Sequence, residues 1–132
     1  MRFTENELTS ALHGAAKSVL AAQRKDVRRG KTDIDTVWAE MDRLQRFQLL
    51  DTLGAQLLPV LVGLPDVTVE PGTRPTFTDA EITDVVEEKL EQSGGRLRRK
   101  VVVAARVALV RTALAHVPPR SDPDALTVPD HL

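Results

Sequence analysis

An all-α domain, four-helix bundle-like and built from two helical hairpins, is the fold this sequence predicts, and three observations predict it. First, Phe3-Thr4-Glu5-Asn6-Glu7-Leu8-Thr9 recurs as Phe77-Thr78-Asp79-Ala80-Glu81-Ile82-Thr83, and each copy is a complete helix-start signal. Thr4 and Thr78 suit the N-cap, where the hydroxyl accepts from a free backbone N–H. Glu7 and Glu81, three residues on, can reach back to the N-cap N–H, and Phe3 with Leu8, like Phe77 with Ile82, has the spacing of a hydrophobic staple. Second, apolar residues return every three or four positions through four long segments. Third, Gly and Pro fall between those segments. Beyond its first residues the repeat fades, so two independently well-capped helices explain it as readily as a duplication.

The first helix is expected over about residues 5 to 29, with Leu8, Ala11, Leu12, Ala15, Val19 and Ala22 as its apolar stripe. Gly14 costs a helix interior about 1 kcal/mol relative to Ala, and close packing by a neighbour is one reason to keep it. Lys25, Arg28 and Arg29 crowd the last turn, where cations favour the helix dipole, and Gly30 suits the position after the cap. A polar connection from Lys31 to Asp35 offers Thr32, Asp33 and Asp35 as caps for a second helix over about residues 36 to 58. Its stripe is Val37, Met41, Leu44, Phe47, Leu50, Leu53 and Leu57, and Pro59 should stop or kink it. Val60 to Leu64 fits either a further helical turn or a short extended piece.

A Pro/Gly linker, Asp66 to Thr76, joins the hairpins. Its Val67-Thr68-Val69 alternates like a strand but has no evident strand partner. The third helix, about residues 79 to 93, has one narrow stripe of Ile82, Val85, Val86 and Leu90, as a surface helix does. Gly94-Gly95 ends it. The fourth helix covers about residues 97 to 117; its Val101-Val102-Val103 run favours strand, but about 20 residues without a breaker exceed a typical strand. One helical domain over residues 1–117 is therefore expected, followed by an irregular Pro-rich tail, 118–132, in which Leu126, Val128 and Leu132 could dock on the body.

The net charge of −1 provides no global field toward DNA or an anionic membrane. The absence of Cys excludes disulfides and thiolate chemistry. No signal pattern opens the chain, and the longest uncharged stretch, Thr52 to Pro65, is too short for a bilayer, so a cytoplasmic protein without a membrane partner is expected.

The fourth helix is the unusual element. On a helical wheel Val103, Val107, Val110, Leu114 and Val117 form one apolar side. Val101, Val102, Ala105, Ala108, Leu109, Thr112 and His116 form nearly the opposite one. Either three other helices surround it, or one side packs on a second subunit. The expectation is a homodimer interface of Val102, Ala105, Leu109, Thr112 and His116 rimmed by Arg106 and Arg111. A small protein–protein interaction module follows from that.

The alternative is a nucleic-acid-associated regulator using Arg96, Arg98, Arg99 and Lys100, widened by Arg24, Lys25, Arg28, Arg29 and Lys31. Against it, Glu87, Glu88 and Glu91 stand across the Gly-Gly turn to neutralise the first cluster. No Tyr or Trp interleaves with either cluster for base stacking, and the Val-rich fourth helix is a poor recognition helix. No catalytic residue, cofactor site or metal site is expected. His13, His116 and His131 are far apart in sequence, no phosphate loop or nucleophile motif is present, and Asp42 reads as an ordinary surface partner of Arg46. Asp51, beside the apolar face of the second helix, reads as a boundary residue reaching solvent.

Overall fold

The computed structural model describes residues 1–90 and 95–120. Among them the chain is all-helical: α1 (Glu5–Gln23), α2 (Lys25–Arg28), α3 (Ile34–Glu40), α4 (Arg43–Gly63), α5 (Asp79–Lys89) and α6 (Arg96–Ala115). The third helix, expected to run to about residue 93, ends at Lys89, because Leu90 is extended (φ −76°, ψ 133°); the expected docking of Leu126, Val128 and Leu132 lies outside the described residues.

Both repeated start signals form closed capping boxes. The Thr4 hydroxyl accepts from the Glu7 N–H at 3.1 Å, and the Glu7 carboxylate accepts from the Thr4 N–H at 2.8 Å. Thr78 and Glu81 do the same at 3.1 and 2.9 Å. Below the second box the staple is tight, with Phe77 buried and Ile82 inaccessible.

Three further expectations are corrected. The first helix stops at Gln23, because Arg24 is extended (φ −100°, ψ 119°) before the short turn of α2. Asp26 anchors the break. It accepts from Arg24 Nε and Nη2 at 3.2 and 2.9 Å and from the Val27 N–H at 3.0 Å, and the Arg24 guanidinium holds its carboxyl at about 2. A short acid that bonds the neighbouring backbone offers the chain an alternative to continuing the helix. Gly30 follows with positive φ (74°), as expected.

The second helix is two helices. Met41 is extended, and the Asp42 carboxylate accepts from the Leu44 N–H at 3.1 Å as the N-cap of α4. Asp42 is thus a cap rather than an ion-pair partner of Arg46; the two share a backbone bond, Arg46 N–H to the Asp42 carbonyl.

Pro59 neither stops nor ends its helix, for α4 runs through it to Gly63. Leu57, Val60, Leu61 and Leu64 continue the apolar stripe across the proline and are all buried. Pro59 and Ala55, the residue four positions before it, are exposed, so the carbonyl left without an N–H donor faces water.

Val67-Thr68-Val69, for which no strand partner was evident, belongs to no strand, and no strand occurs among the described residues. Val67 and Val69 alternate because both pack against the core.

The core is built from α1, α4, α5 and α6 around Leu57, Leu61, Ile82, Val86, Val110 and Val117, all nearly inaccessible. α1 packs on α4 and α6, and α5 packs on the same two helices. The side of α6 expected to face the core does so through Val103, Val110, Leu114 and Val117.

One joint ties the ends of this arrangement together. Arg120, in the segment expected to be tail, donates from Nε and Nη2 to the two Glu7 carboxylate oxygens at 3.1 and 3.2 Å, and from Nη2 to the Arg2 carbonyl at 2.9 Å. Its backbone pairs with the linker in both directions, Gly72 N–H to the Arg120 carbonyl at 2.7 Å and Arg120 N–H to the Thr73 carbonyl at 2.8 Å. The linker meets it in a tight turn, Thr73 N–H to the Glu70 carbonyl at 3.0 Å, in which Gly72 has φ +80°. A side chain is disfavoured at that third turn position.

Glu7 is 3% exposed. Burial pushes its carboxyl up, but the Arg120 hydrogen bonds, the Thr4 N–H and the Arg120 charge outweigh it and hold the group below its usual value. A depressed carboxylate stabilises the fold above its unfolded pKa, and that contribution is lost as pH falls through the folded pKa. Arg120→Ala should therefore destabilise the chain by about 2 kcal/mol near neutrality. In urea titrations the deficit should shrink as pH falls through the folded-state pKa of Glu7, which the Arg120 contact holds below the usual carboxylate value; a deficit unchanged by acid would remove Glu7 as the partner.

Candidate functional site

The seven residues expected to form one interface on α6 are divided among three places. Val102, Ala105, Arg106 and Leu109 line a shallow depression together with Val101, Val19 of α1, and Leu53 and Gln56 of α4. Arg111 points to the other flank, where its Nε pairs with Asp79 at the start of α5. Thr112 donates to the Ala108 carbonyl one turn back at 3.0 Å. His116 is turned onto α1. Half of the expected face is thus drawn toward α1 and α4, with Leu109 partly buried against the core. The N-terminal half of the helix keeps three of its apolar side chains in water: Leu97 is 81%, Val101 68% and Val102 36% exposed.

The cations at the start of α6 occupy the other flank. Arg96, Arg99 and Lys100 line a groove between α5 and α6, with Arg98 exposed beside them. The expected neutralisation takes another form. Among the described residues no carboxylate lies at ion-pair distance from these four cations. Arg99 instead donates from Nη2 to the Glu87 backbone carbonyl at 3.1 Å, satisfying an acceptor in the last turn of α5. Glu91 lies outside the described residues. The second basic group is engaged in part by its own break, through the Arg24–Asp26 pair.

A third place is one that sequence reasoning missed. His13 and His116, 103 positions apart, share a polar depression at the junction of α1, α3 and α6, with Ser10, Lys17, Ser18 and Asp35. The Lys17 ammonium pairs with the Asp35 carboxylate at 2.9 Å. The His13 ring meets Trp38 edge-on, with centroids 5.7 Å apart. His116 Nε2 lies 3.4 Å from the Ser18 hydroxyl. The His116 ring rests directly on Gly14, where a Cβ would overlap ring and side-chain carbons. Gly14 was the one signal available in sequence: a glycine inside a strong helix marks a place where something approaches the backbone.

As chemistry the depression is incomplete. A Ser and a His at that distance form half of a nucleophile–base pair, and a working pair needs a third group to orient the imidazole. The acid that lines this depression, Asp35, is engaged by Lys17. Among the described residues no three His, Asp or Glu side chains are placed to hold a metal ion, and no helix is long and apolar enough to cross a membrane. Asp51 is exposed, as read from its position.

The Gly14–His116 contact makes a sign-reversing prediction. Gly→Ala inside a helix ordinarily gains about 1 kcal/mol. Here Gly14→Ala alone should destabilise, because the ring and the end of α6 must move. In His116→Gly, which removes the Cβ as well as the ring, the same change should recover its ordinary gain. A thermal-denaturation double-mutant cycle checks this, and additive effects would count against the contact. No family model matches the chain, and no curated protein or solved structure matches it either.

Proposed function

We propose that the chain is a small helical interaction module that self-associates through the N-terminal half of α6. The observation that carries this reading is the exposure of Leu97, Val101 and Val102 on a helix whose other side is core. Val101 and Val102 border the depression formed with Val19, Leu53 and Leu109, so a protruding apolar row and an apolar hollow lie side by side. That is the arrangement an isologous two-fold contact needs, each copy's row entering the other's hollow. Arg106, at the edge of the hollow, suits the rim of such a contact, where Arg is enriched. The packing of α1 on α4 and of α5 on α6 supports reading the fold as two hairpins joined by the linker.

Val101 tests the reading better than a buried position, since it is two-thirds exposed and a monomer should fold without it. Val101→Glu is expected to convert a dimer into a 14.5 kDa monomer with its helical signal retained, as read by light scattering after size exclusion and by circular dichroism. A wild-type chain already monomeric at high concentration, or a dimer indifferent to Val101→Glu, would sink this interface.

A further inference from the structure

Independently of self-association, we propose that the groove between α5 and α6 is a docking site for an acidic amphipathic helix of a partner protein. The groove is an open cleft of about 910 Å³. Val103, Ala104, Val107 and Ala108 of α6 form its apolar floor, and Thr83 stands on the α5 wall. Two polar bonds bridge its ends: the Arg111–Asp79 pair at one and the Arg99 bond to the Glu87 carbonyl at the other. Between these bridges Ala104 and Ala108, one turn apart, are exposed. Side chains this small let an incoming helix approach the α6 backbone closely.

The charge around the floor selects the occupant. Four cations, Arg96, Arg99, Lys100 and Arg111, line the cleft against two carboxylates, Asp79 and Glu87. Three of the cations are gathered at the N-terminal end of α6. At 1.5 Å per residue, Lys100 lies about 6 Å along the axis from Ala104 and about 12 Å from Ala108. The matching ligand is a helix with large aliphatic side chains at three- and four-residue spacing and carboxylates one to two turns from them. Apolar anchors then cover the floor and the acids meet Arg96, Arg99 and Lys100. A nucleic-acid strand fits less well: the floor offers no aromatic to stack on, and Asp79 and Glu87 would face its phosphates. The openness of the cleft also suits a helix lying along it better than a small molecule, which binding sites usually enclose.

The test is fluorescence anisotropy with labelled synthetic helices of about 15 residues, long enough to hold helical structure. One carries Leu at helical spacing with Glu along one edge. A second replaces Glu by Lys, and a third replaces Leu by Ala while keeping Glu. The first should bind, and each control should lose about tenfold or more in affinity. Ala108→Glu and Lys100→Glu should each weaken the first peptide by a similar factor, with circular dichroism unchanged because both positions are exposed. Val101→Glu, on the other flank, should leave it unaffected. Equal binding of the Lys peptide, binding indifferent to Ala108→Glu, no binding of the first peptide, or a clear preference for a DNA duplex over it would each overturn the proposal. Loss of binding on Val101→Glu rather than Ala108→Glu would place the ligand on the self-association face instead and overturn it as well.

Discussion

The buried Glu7 carboxylate and the Arg120 guanidinium form the joint on which the arrangement of this chain depends. A carboxylate nearly closed off from water is costly unless its charge and lone pairs are answered. Here they are answered from two directions, by the Thr4 N–H of its own helix and by Arg120 from 113 residues away. Arg120 in turn holds the Arg2 carbonyl and brackets the linker turn at Gly72 and Thr73. Arg74, next along the linker, donates to the Ala115 carbonyl at the end of α6 at 2.7 Å. The start of α1, the linker and the exit from α6 are therefore mutually dependent, and α5 begins five residues after the last of these linker contacts. Glu81 repeats the local role of Glu7 in its capping box without the burial, so the same short motif is a cap in one place and a cap plus a tertiary anchor in the other.

With that end held, the pose of α6 follows from a few contacts along its length. His116 sits in the gap left by Gly14, Arg111 reaches the first turn of α5, and Arg99 reaches its last. These contacts press Val103, Val110, Leu114 and Val117 into the core and aim the remaining sides of the helix at two different surroundings. One flank is a mixed-charge groove against α5, and the other an exposed valine and leucine row beside α1 and α4. Both proposals rest on that division: the row supports self-association, and the groove supports capture of an acidic helix.

The helix starts at Thr4 and Thr78, most of the apolar stripes and the buried side of α6 were legible in sequence, because each is a local pattern whose energy is mostly local; Leu44 and Phe47, expected in the second helix's stripe, are instead exposed at the start of α4. The breaks at Arg24 and Met41 were not legible. Asp42 reads in sequence as a side-chain ion-pair partner and Asp26 stands out in no pattern, whereas each bonds a backbone amide close by and ends or restarts a helix. Pro59 misled in the opposite sense. Its local rule predicts a stop or a kink; there is no stop, because burial of Val60, Leu61 and Leu64 outweighs one missing hydrogen bond on a face open to water. For the candidate sites, residue types and approximate faces could be read, but not their division: Leu109 and His116 share a wheel sector and part company in space, and Arg111, expected at the rim of their face, pairs with α5 on the other flank.

By itself, then, the sequence determined that the chain is helical, where two of its helices begin and which side of α6 is core, since capping and amphipathic periodicity act over three or four residues and are written in consecutive positions. Only the tertiary structure decided that Glu7 meets Arg120, that His116 occupies the place of a Cβ on Gly14, and which apolar side chains of α6 stay in water. Those outcomes depend on the distance and angle between helices remote in sequence, which no local spacing encodes.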